Sequence, residues 1–212
     1  MSRTTQRLAI LLAAVRVIVR DGLLSLTLDA VAKEAGVSKG GLLYHFPSKD
    51  ALIGSMIDHF QQEQELEIRR RAEADPNPQG AMMRAFISIS LSDLPHAEGL
   101  NNLSKTDTMA LKMSLLAAIA LNPQLLEVVR NRCRNWVVQL LDQSPDPLED
   151  WITCLAADGL WLWQLFGLLP ADDALRSQLE QRLLARSQPV QAPAIPQTSP
   201  KPPKKSSRRS VR

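Results

Sequence analysis

Between Thr27 and Lys49 the sequence TLDAVAKEAGVSKGGLLYHFPSK sets two short amphipathic segments on either side of a glycine. This confines the N-terminal part of the chain to a helical hairpin with a tight turn. Thr27 is a good N-cap, and Asp29 puts negative charge in the first helical turn, where the helix dipole favours it. Leu28, Val31, Ala32 and Ala35 recur at i, i+3, i+4 and i+7, so one helix face is apolar. Ala32 is small where a second helix must cross, and Gly36 can take the positive φ of a helix end. Val37 is placed to bury under the turn. Ser38 caps a second helix that runs to about Phe46, Pro47 ends it, and Ser48 caps the next. On the second helix Ser38, Leu42, His45 and Phe46 share an anchoring side, while Lys39, Gly40, Leu43 and Tyr44 lie on or near the outward side. That is the shape of a helix-turn-helix, whose second helix enters the major groove of DNA. An ordinary hairpin inside a bundle would leave Gly40 and Gly41 unexplained, because each costs about 1 kcal/mol against Ala in a helix.

The stretch resembles the DNA-binding domain of TetR-family transcriptional regulators. The matching elements are Thr27, Val31-Ala32, Ala35-Gly36-Val37-Ser38, Gly40, Leu42, His45-Phe46 and Ser48-Lys49, with no gap in their spacing. A preceding apolar stripe of Leu8, Leu11, Leu12, Val15, Ile18 and Val19, ended by Gly22, fits the family's first helix. The resemblance covers roughly the first 55 residues. It implies a DNA-contacting set of Thr27, Ser38, Lys39, Gly40, Gly41, Leu43, Tyr44 and Lys49. Lys39, Gly40 and Gly41 would lie at the base edges, and Thr27, Tyr44 and Lys49 would hold phosphates. Lys39 either pairs with guanine O6 and N7 or faces phosphate and solvent. His45 reads as a packing residue and Phe46 as core. One departure stands out: the family commonly has tyrosine where this chain has Leu43, with Tyr44 one residue later. Leu43 cannot bond a phosphate, but it suits a thymine methyl group.

Length and composition extend the helical reading to the whole chain. With 212 residues, 45% of them apolar and only 4% aromatic, it can bury a real core in one or two domains. Abundant Ala and Leu, and the lack of alternating β-branched segments, favour an all-α fold. The apolar run near the N-terminus is interrupted by Arg16 and Arg20 with no cleavage site after it, so no signal peptide is expected. No segment reaches the roughly 18 uninterrupted apolar residues of a membrane span. Cys133 and Cys154 make neither a disulfide framework nor a metal site, and both are expected reduced and partly buried. A cytoplasmic protein without cofactor or metal is the expectation.

Charge is strongly partitioned. Residues 1–50 hold seven Lys or Arg against four Asp or Glu, residues 51–186 hold 12 against 18, and residues 187–212 hold six against none. DNA affinity is therefore expected at the ends, with the acidic middle free for other work. These segments define the expected domains: a helix-turn-helix domain over 1–50, a helical regulatory and dimerisation domain over 51–186, and a disordered, basic, Pro-rich tail over 187–212. The tail suits sequence-independent DNA binding through counterion release.

Along the body, helices are predicted at 48–73, 79–91, about 105–121, 123–142, 147–169 and 171–186. A loop with Pro95, Gly99 and paired asparagines falls between the second and third, and Pro170 at a boundary. The run WITCLAADGLWLWQLFGLL, 151–169, is apolar on nearly every face and must be covered on all sides. A homodimer interface through Gly159, Trp163 and Phe166 would cover it, and the family's last two helices form such a four-helix interface. Asp158 is the odd polar residue there. The family also commonly binds a small-molecule effector among its central helices, for which Phe86, Met109, Met113, Trp136 and Trp161 are the candidate lining residues.

These readings converge on a homodimeric repressor that binds double-stranded DNA at a palindromic operator and is released by a small molecule. An activator or a protein-partnered regulator is the alternative in the same class, and a helical lipid or small-molecule carrier the alternative in another. Enzyme chemistry has little support. His45, His59 and His96 neither sit at metal-ligand spacing with a carboxylate nor beside an evident nucleophile, and no Gly-rich phosphate loop follows a strand.

Overall fold

The computed structural model describes residues 3–92, 100, 102–142, 144, 146–169 and 173–187. The described residues are helical and contain no strand. The α-helices are α1 (Arg3–Asp21), α2 (Leu28–Ala35), α3 (Lys39–His45), α4 (Lys49–Glu73), α5 (Ala81–Ser90), α6 (Lys105–Leu121), α7 (Pro123–Leu141), α8 (Pro147–Leu165) and α9 (Asp173–Arg186), with a 3-10 turn at Leu23–Ser25 between α1 and α2. The loop with Pro95, His96, Gly99 and Asn101, the Pro170 boundary and residues 188–212 lie outside the described residues.

Local chemistry explains the boundaries. The Ser48 hydroxyl accepts from the Ala51 amide at 3.0 Å, Ser104 accepts from Asp107 at 3.1 Å, and Asp146 accepts from Glu149 at 3.1 Å. Each satisfies an amide that an α-helix leaves unpaired at its start. Asn122 both ends α6 and caps α7, Pro123 occupies the first turn of α7, and the two helices meet at 108°. The last apolar helix is shorter than expected, ending at Leu165 instead of 169. Gly167 takes φ +65°, and the Leu168 amide turns back to the Trp163 carbonyl at 2.9 Å, a six-to-one bond that closes the helix.

Two apolar clusters hold the helices together. The first gathers Ile10, Leu11, Val15 and Ile18 of α1, Val31 of α2, Leu42 of α3 and Phe46 beside Leu52, Ile53, Met56 and Ile57 of α4, and extends to Leu111, Ala118 and Leu125 of α6 and α7. The second gathers Ile68 of α4 with Met83, Ile87 and Ile89 of α5, Leu140, Cys154, Ala157 and Leu183. Two helices, α4 and α7, thus contribute to both.

The apolar α8 is covered on only one side. Thr153, Cys154, Ala157 and Leu165 are buried. Leu148, Ile152, Leu155, Trp163 and Phe166 are exposed along the opposite stripe, with Leu155 62% open. Cys154 is packed 3.9 Å from the Met83 sulfur, and burial pushes its thiol up to about 12. Cys133, expected to be partly buried, is exposed on α7. Val129, Trp136 and Leu140 of the same helix do pack on the cores, and Cys133 lies at the edge of that face.

Candidate nucleic-acid interface

The N-terminal head is assembled around a glycine turn. Gly36 adopts φ +67°, ψ 30°, the left-handed region that costs L-residues with a side chain about 1–2 kcal/mol. Its amide bonds the Lys33 carbonyl at 3.3 Å and the Val37 amide bonds Ala32 at 3.0 Å, so the end of α2 is closed. Thr27 caps α2 by accepting from the Ala30 amide, and Ser38 caps α3 by accepting from Gly41, both at 3.1 Å. The two helices are thereby fixed at the turn by side chains the sequence supplies locally.

One side of α3 is core. Leu42 and Phe46 are buried, and Arg7 of α1 lies 5.2 Å over the Phe46 ring. His45 is half-buried, its Nε2 3.4 Å from the Gln6 amide oxygen. The other side is open: Lys39 and Gly40 are exposed, Tyr44 is 67% exposed, and Leu43 is 38% exposed. A Cβ on Gly40 would meet nothing in the protein, whereas one on Gly41 would meet the Ser38 hydroxyl at 3.2 Å. Packing therefore accounts for the second glycine but not the first.

The cations of the head are mostly tied to neighbours. Arg16 and Arg20 both reach Glu34 at 2.8 Å, clasping α1 to α2, and Arg20 also meets Asp21 at 2.9 Å. The bonds from Arg20, then Arg16, hold the Glu34 carboxyl below its ordinary range. Lys49 donates to the Leu23 carbonyl at 3.2 Å, joining α4 to the 3-10 turn. Lys39 pairs with Asp29 across the turn at 3.0 Å. The sequence reading placed Asp29 in the first turn of α2 but included neither its pairing with Lys39 nor the Glu34 clasp. The one-turn spacing of Arg16 and Arg20 was a signal for the clasp, but the partner's position depends on how α1 crosses α2.

The residues expected to line an effector site divide between two places. Phe86 packs on Trp136 in the second core, ring centroids 6.3 Å apart. Met109 and Trp161 instead border a narrow crevice with Ser92, Thr108, Lys112, Gln164 and Leu165. Met113 lies one turn farther along α6, half-buried. Among the residues expected at an interface, Trp163 is 53% exposed and Phe166 is also open, and a Cβ on Gly159 would meet nothing. Asp158 sits on the same helix. It is exposed at its edge, while the surrounding side chains desolvate its carboxyl and raise its pKa.

No group of three His, Cys, Asp or Glu side chains that could hold a metal ion occurs among the described residues. Nor do those residues include a single helix long and apolar enough to cross a membrane.

Comparison with known proteins places this geometry. Residues 10–56 match the family described as bacterial regulatory proteins, tetR family, and residues 80–188 match the tetracyclin repressor-like C-terminal domain. Among solved structures, the multidrug binding protein EbrR complexed with imidazole is 24% identical, with 90% of this chain and 97% of that chain covered and a TM-score of 0.61. A member of the TetR family from Streptomyces coelicolor A3 is 25% identical over 84% of this chain and 97% of that chain, TM-score 0.58. A transcriptional regulator from Rhodococcus sp. Rha1 is 20% identical over 85% and 92%, TM-score 0.58. No curated protein matches the chain.

Proposed function

The chain belongs to the TetR family of DNA-binding transcriptional regulators, which are not enzymes, and from that premise we propose that it is a homodimeric repressor of a palindromic operator, released by a small-molecule effector. The observation that carries the reading is the outward face of α3. Lys39, Gly40, Leu43 and Tyr44 are exposed together on a short helix whose other side is locked into the core. Thr27, Ser38, Gly41 and Lys49 complete the proposed DNA contacts. Leu43 would meet a thymine methyl group.

The open stripe of α8 supports the dimer. Leu148, Ile152, Leu155, Trp163 and Phe166 form an apolar surface that a monomer would leave in water. A two-fold partner would cover it with the same surface and set two recognition helices about 34–36 Å apart, one turn of DNA. The domain division at residues 50 and 186 remains part of this proposal, as does the basic tail as an auxiliary DNA contact.

The crevice bordered by Met109 and Trp161 is the proposed entrance for the effector. The structural neighbour EbrR, a multidrug binding protein solved with ethidium, supports an effector of small-molecule kind.

Selection of duplex sites from random DNA with the purified protein tests the proposal. The expected product is an inverted repeat with half-site centres one helical turn apart. A site without two-fold symmetry overturns the dimer reading, and a protein that enriches no site overturns DNA recognition. Screening small molecules for release of the selected site then tests the effector.

A further inference from the structure

The ion pair between Asp29 and Lys39 is out of place on a surface meant for DNA. The Lys39 ammonium lies 3.0 Å from one Asp29 oxygen and 3.1 Å from the other, and the Lys39 and Asp29 side chains are 61% and 69% exposed. An exposed pair of this kind contributes little to stability. Asp29 also complements the dipole of α2, yet that role needs no lysine, and Thr27 already caps the helix. Of the head's other ion-paired carboxylates, Glu34 holds Arg16 and Arg20 between α1 and α2, and Asp21 holds Arg20 within α1. Asp29 is instead paired with Lys39 of the exposed α3 face.

A carboxylate there lowers affinity for every duplex, because binding draws on cations that neutralise phosphates. What it can supply is discrimination. An unrestrained lysine is a point charge on a flexible stem and reaches any nearby phosphate. Held by Asp29, its ammonium is tethered between the first turn of α2 and the start of α3, the end that helix-turn-helix proteins direct at base edges. We propose that Asp29 is a positioning residue for operator discrimination: it holds Lys39 ready for a guanine edge and withholds it from the backbone. Specificity is then obtained partly by a repulsive element, at the expense of total affinity. The inference rests on the DNA-binding reading above and deepens it.

The test compares the selected site with a scrambled duplex, by fluorescence anisotropy across a salt series, for wild type, Asp29→Asn, Lys39→Gln and the double variant. Asp29→Asn is expected to tighten binding to the scrambled duplex and to steepen its salt slope by about one. The ratio of selected to scrambled affinity should fall roughly tenfold, the scale of one lost base contact. In the Lys39→Gln background the same substitution should leave the ratio unchanged. The inference is overturned if Asp29→Asn leaves the ratio intact, if it strengthens both duplexes equally, or if the ratio falls as much without Lys39. Should Asp29→Asn melt early, Asp29→Ser carries the test, since it also removes the charge facing Lys39 and must lower the ratio comparably. A wild type that selects no site removes the proposed function. A normal site with an unchanged ratio removes only this inference.

Discussion

Arg132 of α7 meets Glu65 of α4 side by side, its Nε and Nη2 donating to the two carboxylate oxygens at 3.0 and 3.2 Å. The remaining nitrogen, Nη1, reaches Asp58, two turns earlier on α4, at 2.8 Å. Both partners of the central pair are about three-quarters buried, so the contact is screened less than a surface pair. Arg132→Met should cost about 1–2 kcal/mol. Melting by circular dichroism should show a Tm lower by roughly 2–8 °C. Arg130→Met, which removes an exposed 3.5 Å contact with Glu127, should stay within about 0.5 kcal/mol of wild type. Equal effects from the two variants would refute this ranking.

Gly40 should show stability and function moving in opposite directions. Its Cβ position is empty and its backbone is helical, so Gly40→Ala should stabilise the fold by about 0.5–1 kcal/mol. The same methyl group would stand where the DNA backbone or a base edge approaches. Operator affinity should fall while Tm rises, and a variant that binds the selected site as tightly as wild type would remove Gly40 from the interface.

Two other glycines should rank by what surrounds them. Gly36 and Gly80 both hold positive φ, at +67° and +75°. Alanine at Gly36 would meet only the backbone strain, costing about 1–2 kcal/mol. At Gly80 the new Cβ would also collide with the Ser187 carbonyl, which accepts a bond from Arg84 at 3.0 Å. Chemical denaturation should therefore place Gly80→Ala below Gly36→Ala, and the reverse order would contradict the account.

How far the sequence revealed this molecule depended on the range of the interaction. Caps acting within three residues, such as Thr27, Ser38 and Ser48, marked the helix starts correctly. The inward and outward sides of α3 followed from Leu42 and Phe46 alternating with Leu43 and Tyr44. Contacts across elements were not legible. Nothing in the spacing says that Lys39 meets a residue ten positions earlier, or that Lys49 turns back to the Leu23 carbonyl. The single-sided covering of α8 and the exposure of Cys133 likewise depend on how whole helices pack. The separation of Phe86 and Trp136 from Met109 and Trp161 has the same origin.

The α8 stripe gives a direct test of assembly. Leu155→Glu or Trp163→Glu should leave the helices folded, since both side chains already face solvent in the single chain. Sedimentation should show wild type as a dimer and each variant as a monomer, because burying an unpaired carboxylate in an apolar interface is unfavourable by several kcal/mol. Dimeric variants would place the interface elsewhere.

Acid should loosen α4 in a defined window. Arg70, then Arg71, bonds Glu67 and lowers its pKa to about 2, below the unfolded value near 4.3. A depressed carboxylate stabilises the fold fully above the unfolded value, and that contribution is lost as pH falls from about 5 towards 2. The partners lie at i+3 and i+4, so the loss should be about 1 kcal/mol or less. Glu67→Gln should be less stable than wild type at pH 7 and should flatten this part of the stability–pH curve. Parallel curves would show that Glu67 contributes nothing.

α4 has no break between Lys49 and Glu73, so its 25 residues make a rod of about 37 Å. Leu52 and Met56 embed one part of it among the head's helices, and Ile68 seats the other in the body. Without a joint to absorb rotation, an inclination of three degrees at one end becomes a shift of about 2 Å at the other, by the rod's length. That is comparable to the reach of a hydrogen bond, so in the proposed dimer angular play in the body would carry into register on DNA.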